Sequence, residues 1–418
     1  MDFYKATHRD IRYHLQNLRQ LVFEVTDRCN LNCKYCCYSR FYRGYDIRKG
    51  SDISFTKAKL IVDYLYDLWK DNYSDGSNRE LTISFYGGEP LLNVSFIKQV
   101  IDYVERLKLE KNGRICSYSM TTNAILLNQY MDYLVEKKFN LLISLDGDKF
   151  AQSYRIDHSG KNSFERVFSN IKLLQEKHPE YFKSNTSFNS VLHNRNEIES
   201  IYQFIHSLFD KMPLITPLNE VGICEEKKEK FIKIYQNPVK SFNRSNNCEA
   251  IESEMFMRTP RVAQLSDYIM RQSGNAYHNY NELYINKDKL PLTAATCVPF
   301  SNRMFITVNG KILPCERISQ QFSLGQVHED RVELNEEYIA DKHNFYVSKF
   351  VKQCSNCASN RFCPQCVYQV DNLCKDDTCC PTFLSNKELE RENDNIFNFL
   401  QEHPHYYNRI LEEVKITV

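Results

Sequence analysis

Short apolar or β-branched runs recur along the first half of the chain: LVFEV (21–25), LTISF (81–85), ICSYSM (115–120), LLISL (141–145) and TSFNSVL (186–192). Each has the length of a strand and little polar interruption, as strands buried in a parallel sheet should. Amphipathic stretches lie between them. Leu60, Ile61, Tyr64, Leu65 and Leu68 recur at helical spacing behind Ser54, whose hydroxyl suits an N-cap. Similar stretches run through Phe96–Leu107, Asn128–Lys137, Ser163–Gln175 and Glu197–Phe209. Repeated βα units predict an α/β fold with a parallel sheet, open or curled into a partial barrel. Chemistry in such sheets sits at the carboxyl ends of the strands.

The pattern changes over 226–296, where EEKKEKFIK and NRSNNCEAIESE carry few strand signals; this reads as a polar, partly helical bridge. From Asn386 to about Val414 the pattern is again helical and charged. A length of 418 residues predicts two or three packed units. Lys+Arg 54 against Asp+Glu 53 leaves no basic excess, which argues against nucleic acid as a partner. The first residues contain no apolar signal segment, and no stretch approaches the roughly 20 apolar residues of a membrane span. The chain therefore reads as cytoplasmic, with no membrane partner.

In that compartment thiols stay reduced, so the 16 cysteines point to metal or redox chemistry. Four fall within Cys29–Cys37, two are Cys297 and Cys315, and seven crowd into Cys354–Cys380, leaving Cys116, Cys224 and Cys248 alone as ordinary thiols. Strand LVFEV runs directly into TDRCNLNCKYCCY, giving Cys29-x3-Cys33-x2-Cys36. An iron–sulfur cube usually takes four thiolates, so three from one tight loop leave an iron open to an exogenous donor. Adjacent cysteines in a loop point in different directions, so Cys37 is not expected as a fourth ligand, and a zinc knuckle would need a partner pair that is not nearby.

The triplet, with Tyr35 before its last cysteine, resembles the radical S-adenosylmethionine (radical SAM) superfamily. Further resemblance lies at the later strand ends: Gly87-Gly88-Glu89-Pro90, Thr122-Asn123, Ser144-Leu145-Asp146-Gly147, and then Arg155. The resemblance implies a partial (β/α)6 TIM-type barrel. It also implies that Cys29, Cys33 and Cys36 hold a catalytic 4Fe-4S cluster. Gly87, Gly88, Glu89 and Pro90 would hold the amine of S-adenosyl-L-methionine, with Tyr35, Thr122, Asn123, Ser144 and Arg155 around the rest of it. In that family the cluster reduces the cofactor, releasing methionine and a 5′-deoxyadenosyl radical that abstracts a substrate hydrogen.

The later cysteines, Cys297-x12-Gly310-x4-Cys315 followed by Cys354-x2-Cys357-x5-Cys363-x2-Cys366 and then Cys374, Cys379 and Cys380, resemble the cysteine-rich SPASM extension of radical SAM enzymes. That resemblance implies two auxiliary 4Fe-4S clusters. Cys297, Cys315 and Cys366 would serve one; Cys354, Cys357, Cys363 and either Cys379 or Cys380 would serve the other. Gly310 sits in an Asn-Gly hairpin turn. Two departures stand out. Pro364-Gln365 make a shorter gap than the family's usual one, and no cysteine just upstream of Cys297 completes the first auxiliary site. Taken alone, paired Cys-x2-Cys motifs also suit a zinc ribbon.

Five segments follow: an N-terminal extension (1–20), the radical SAM barrel (21–225), the bridge (226–296), the SPASM domain (297–384) and a C-terminal helix (385–418). The strand-end segments resemble SPASM-containing maturases of ribosomally made (RiPP) peptides, which implies a precursor peptide substrate and a reducing partner such as flavodoxin or ferredoxin. Only residues 1–20 precede the first strand, so leader recognition would come from a separate protein or from the bridge. An anaerobic sulfatase-maturating enzyme, forming formylglycine, is the alternative. That group typically has Asp after the cysteine corresponding to Cys315. Here Glu316 follows, and a longer acid can still accept a proton as a catalytic base. A non-catalytic iron–sulfur or zinc protein would explain the cysteines, but not the strand-end motifs.

Overall fold

The computed structural model describes residues 5–36, 38, 41–70, 80–112, 114–256, 259–272, 296–359, 363, 365–375 and 378–413. Six strands run parallel in sequence order: β1 (Gln20–Thr26), β2 (Glu80–Gly87), β3 (Ile115–Thr122), β4 (Asn140–Ser144), β5 (Thr186–Leu192) and β6 (Leu214–Pro217). Helices connect them: α1 (His8–Gln16) precedes β1, then come α2 (Phe55–Lys70), α3 (Val94–Leu107), α4 (Leu127–Glu136), α5 (Phe164–Lys177), α6 (Pro179–Asn185) and α7 (Ile198–Phe209). Ser54 caps α2 as its position predicted, accepting from Lys57 N at 3.2 Å. This is the partial barrel, α/β in class, that the alternating pattern predicts.

Alternation within the strands sorts side chains between the helix layer and the barrel interior. Phe23 of β1 packs on Phe85 of β2 and on Phe96 of α3, and Phe188 of β5 stacks on Phe209 of α7. Phe23, Phe85 and Phe188 are fully buried, each contributing about 1.5–3 kcal/mol of transfer free energy. The other face carries hydrogen-bonding groups. Gln20 Nε2 donates to Ser84 Oγ at 2.6 Å, Ser84 and Ser119 share a hydrogen bond at 2.6 Å, and Thr82 and Ser117 share one at 3.0 Å. An apolar outer face and a hydroxyl-lined inner face leave the interior suited to a polar guest.

Four further strands extend the sheet from the free side of β1: β7 (Arg303–Ile306), β8 (Lys311–Leu313), β9 (Gly325–Val327) and β10 (Val332–Glu333). β7 runs parallel to β1 with Gln20 opposite Arg303, and β8 returns antiparallel through the predicted Asn309-Gly310 turn. Gly310 takes φ +84° there, and an added Cβ would lie 2.1 Å from Val327 O, so only glycine fits.

The chain divides into two compact units. Thr7–Asn237 and Val298–Asp341 form the barrel unit; the described residues of Met1–Ala6, Pro238–Cys297 and Lys342–Val418 form the other. The segment 297–384, read from the sequence as one cysteine-rich domain, thus falls across both. The second unit has its own helical core, in which Phe256, Val262, Leu265, Ile269, Tyr406 and Ile410 are buried together. Among the described residues, no helix is long and apolar enough to cross a membrane.

Candidate active site at the strand ends

The loop after β1 is clamped to the end of β2. Gly88 N donates to Thr26 O at 2.8 Å and Glu89 N to Arg28 O at 2.9 Å. Side chains are excluded from that contact: an added Cβ at Gly87, where φ is +134°, would lie 2.4 Å from Thr26 O, and one at Gly88 would lie 1.9 Å from Arg28 O. On the other side, the Asp27 carboxylate accepts from Lys49 N at 3.0 Å and Ser51 N at 2.7 Å. The two glycines of Gly87-Gly88-Glu89-Pro90 therefore bring the cysteine loop and the strand end into backbone contact.

Cys29, Cys33 and Cys36 in this loop are partly exposed and near enough to act on one another electrostatically. Burial pushes the Cys29 thiol up to about 11 and that of Cys33 up to about 12. Without a nearby positive centre both stay protonated at neutral pH. N–H groups already face the sulfur of Cys29, from Leu31 N at 3.4 Å and Asn123 Nδ2 at 3.7 Å. Desolvated thiols met by N–H donors suit a cationic iron–sulfur cluster, which would draw off their protons. No three Cys, His, Asp or Glu side chains among the described residues stand closed around a metal position. Cys37 lies outside the described residues.

Glu89 is buried beside these thiols. Its Oε1 accepts from Thr122 Oγ1 at 2.7 Å and Leu91 N at 3.2 Å, and its Oε2 from Asn123 N at 2.8 Å. Burial raises the Glu89 carboxyl to about 7, against those three donors. Pro90 opens the turn Pro90–Asn93 that Glu89 caps, and Pro90 and Leu91 are buried. Asn123 also donates from Nδ2 to Asn30 Oδ1 at 2.7 Å, tying the end of β3 to the cysteine loop.

Ser144 is buried where β4 ends, and two residues on Asp146 is fully buried. Arg155 grips the Asp146 carboxylate with Nε at 3.0 Å and Nη2 at 3.1 Å, and Tyr35 donates its hydroxyl to the same group. Burial acting alone would raise the Asp146 carboxyl; Arg155 and His193 outweigh it and hold it low. Sequence reasoning assigned no role to His193, whose ring is buried against Tyr35 and Tyr154 with Nε2 3.6 Å from Asp146. The one available signal was the polar run His193-Asn194-Arg195-Asn196 directly after β5.

Below the strand ends, the barrel holds a cavity of about 520 Å³ whose lining includes Gln20, Ser84, Ser119, Arg303 and Glu316. Gln20 and Arg303 begin their strands, so this cavity reaches the amino end of the sheet, while the cysteine loop sits at the carboxyl end. Glu316 is ion-paired to Arg303 at 2.6 Å and faces Cys315 Sγ at 3.6 Å. Burial, then the charge of Glu316, pushes the Cys315 thiol up to about 12.

In the second unit, Cys354 lies in electrostatic range of Cys363, Cys380 and Cys357. Burial pushes Cys354 up to about 12 and raises Cys363 as well. Cys366 neighbours Cys297, and the adjoining Val367 N donates to Thr296 Oγ1 at 3.0 Å. Cys374 and Cys379 are exposed.

Residues 23–208 match the family model of the Radical SAM superfamily. The cysteine-type anaerobic sulfatase-maturating enzyme of Clostridium novyi (strain NT) is 30% identical over 219 residues, covering 49% of this chain and 54% of that protein. The radical SAM cyclopropyl synthase TigE of Paramaledivibacter caminithermalis is 27% identical over 184 residues, covering 42% of this chain and 36% of that protein. The chain thus spans about half or less of the length of these curated relatives. Among solved structures, anSMEcpe with bound AdoMet and the Cp18Cys peptide superposes with a TM-score of 0.62 at 18% identity, covering 94% of this chain and 99% of that one. At that identity the likeness is one of fold. The matched segment and the shared fold together make the barrel of this chain similar to that of radical SAM superfamily enzymes.

Proposed function

We propose that this enzyme modifies a side chain of a peptide or protein, a ribosomally made precursor peptide being the preferred substrate. The observation that carries the reading is the convergence of Cys29, Cys33 and Cys36 with Glu89, Asn123 and Arg155 at one end of a sheet whose interior holds a polar cavity. The three thiols would hold the 4Fe-4S cluster. The Gly87 and Gly88 backbone and the Glu89 carboxylate would receive the ammonium of S-adenosylmethionine. Pro90, Thr122 and Asn123 keep Glu89 in place, and Ser144 and Arg155 would receive the cofactor carboxylate, with Tyr35 closing the loop beside them. Once bound, the cluster and cofactor supply a reductively generated radical able to abstract hydrogen from carbon. The barrel's own part is to orient both groups and exclude water.

Cys354, Cys357, Cys363 and Cys380 are proposed as the ligands of one auxiliary cluster, and Cys297, Cys315 and Cys366 remain proposed auxiliary ligands. The peptide class is supported by the sulfatase-maturating relative and by the same-fold anSMEcpe, which was solved with a peptide bound. A flavodoxin or ferredoxin would deliver the electron, and a separate protein would present the leader.

Anaerobic reconstitution with iron and sulfide, followed by dithionite and S-adenosylmethionine, tests the reading. Formation of 5′-deoxyadenosine supports it; a protein that takes up zinc without sulfide and forms none overturns it. The placement of Glu316 in the cavity wall favours a second reading, formylglycine formation, with Glu316 as proton acceptor. A cysteine-containing sulfatase peptide separates the two: an aldehyde product supports maturation of sulfatases, and no turnover of that peptide removes it.

A further inference from the structure

We infer that Asp146 is a positioning residue that fixes Arg155 for the cofactor carboxylate and, through Tyr35, locks the cysteine loop to the same strand end. The inference rests on the reading of Arg155 given above. A carboxylate with no exposure is stable only if its oxygens are met, and here the partners come from separate parts of the barrel. Oδ2 accepts from Arg155 Nε and from the Tyr35 hydroxyl; Oδ1 accepts from Arg155 Nη2 and, at 3.0 Å, from Val191 N of β5. The backbone of Asp146 is pinned as well. Its N–H donates to Gln152 Oε1 at 2.9 Å, and its carbonyl accepts from Asn196 Nδ2 at 3.0 Å. Held on both sides, the carboxylate has no room to swing.

Two consequences follow. A two-point grip sets the plane of the guanidinium, leaving its other edge to meet a second carboxylate. Arg155 also lies over the Tyr35 ring at 5.4 Å, so the aromatic residue inside the cysteine triplet is held by the same carboxylate in two ways. His193 adds a back wall. Its Nδ1 accepts from Arg195 N at 3.2 Å, which leaves Nε2 facing Asp146 at 3.6 Å. Cofactor reader and cluster loop are thereby registered to one another through a single acid.

Asp146→Asn keeps the shape of the side chain and removes the charge that holds Arg155. In the reconstituted holoenzyme, S-adenosylmethionine affinity, measured by equilibrium dialysis, is expected to fall by about tenfold or more, the range seen when a partner behind a ligand-contacting group is lost. Combined with Arg155→Gln, the loss should be no larger than for Arg155→Gln alone, and iron per chain should stay close to wild type. Multiplying losses, or affinity unchanged in Asp146→Asn, would overturn the inference while leaving the family reading intact. Wild-type holoenzyme that binds no S-adenosylmethionine would overturn both. If circular dichroism shows Asp146→Asn unfolded, Arg155→Lys decides: lysine keeps the charge but cannot take the two-point grip. Weakened binding with retained iron supports the inference, and wild-type binding overturns it.

Discussion

Thr122 donates its hydroxyl hydrogen to Oε1 of Glu89 across 2.7 Å, so the ends of β2 and β3 are joined by a side-chain bond inside the protein. Glu89 is buried, and water cannot replace a lost partner. Thr122→Val preserves the branched shape and deletes the donor. The expected cost is about 1–3 kcal/mol in urea unfolding, the range for leaving a buried acceptor short of a hydrogen bond. An unchanged unfolding midpoint would show that this bond contributes nothing to joining the strand ends.

Gly88→Ala tests the backbone contact between β2 and the cysteine loop. The new Cβ would lie 1.9 Å from Arg28 O, and neither partner is a flexible side chain. Arg28 directly precedes Cys29, so relief of the clash displaces the loop that carries the triplet. The expected outcome is a folded barrel, with unchanged far-ultraviolet circular dichroism, that retains less than about half of the wild-type catalytic-cluster iron, since ligand geometry tolerates little displacement. Full iron content with wild-type electron paramagnetic resonance would mean that the loop absorbs the methyl group.

Legibility in the sequence followed burial and length. LLISL and LVFEV are readable because both faces of the strand are covered, leaving an apolar run that competes with nothing else. β6, Leu214–Pro217, is an edge strand with no buried residue, so it lacked that signal. β8, β9 and β10 have three, three and two residues, too few for alternation to register. At the site, the cysteines and Gly87-Gly88-Glu89-Pro90 were visible because their spacing along the chain carries the chemistry. The pairing of Asp146 with Arg155, and the presence of His193 behind it, depend on which strand ends become neighbours. No local pattern encodes that.

Cys379 and Cys380 were indistinguishable as ligands from spacing. The surroundings of Cys380 separate the two: its N–H donates to Gln353 Oε1 at 3.0 Å, next to Cys354 in the chain, and its thiol is in electrostatic range of both Cys354 and Cys363. Cys379 is exposed. Cys380→Ala should therefore lower iron in the reconstituted protein by up to about four atoms per chain, one cubane cluster, and by more than Cys379→Ala does. Iron and sulfide analysis of the two variants side by side makes the comparison. A larger loss in Cys379→Ala would reverse the assignment.

His343 supplies a prediction independent of any cofactor. It lies in the helix Glu336–Ser348, buried, with no hydrogen-bond partner for Nδ1 among the described residues. Burial lowers its pKa from 6.5 to about 4. Below pH 6.5 the unfolded chain takes up a proton at this position that the folded chain refuses until about pH 4. In that window the unfolded state binds more protons, so stability falls as pH falls, by about 3 kcal/mol across the whole interval. Above pH 6.5 the ring is neutral in both states, and the contribution is flat. His343→Leu removes the titration and the unpartnered nitrogen together. Other groups titrate over the same range, so the informative quantity is the difference in melting temperature between variant and wild type at each pH. That difference should widen in the variant's favour from pH 7 down to pH 4 and then level off. Parallel melting curves over this range would show that His343 is solvated and titrates alike in both states.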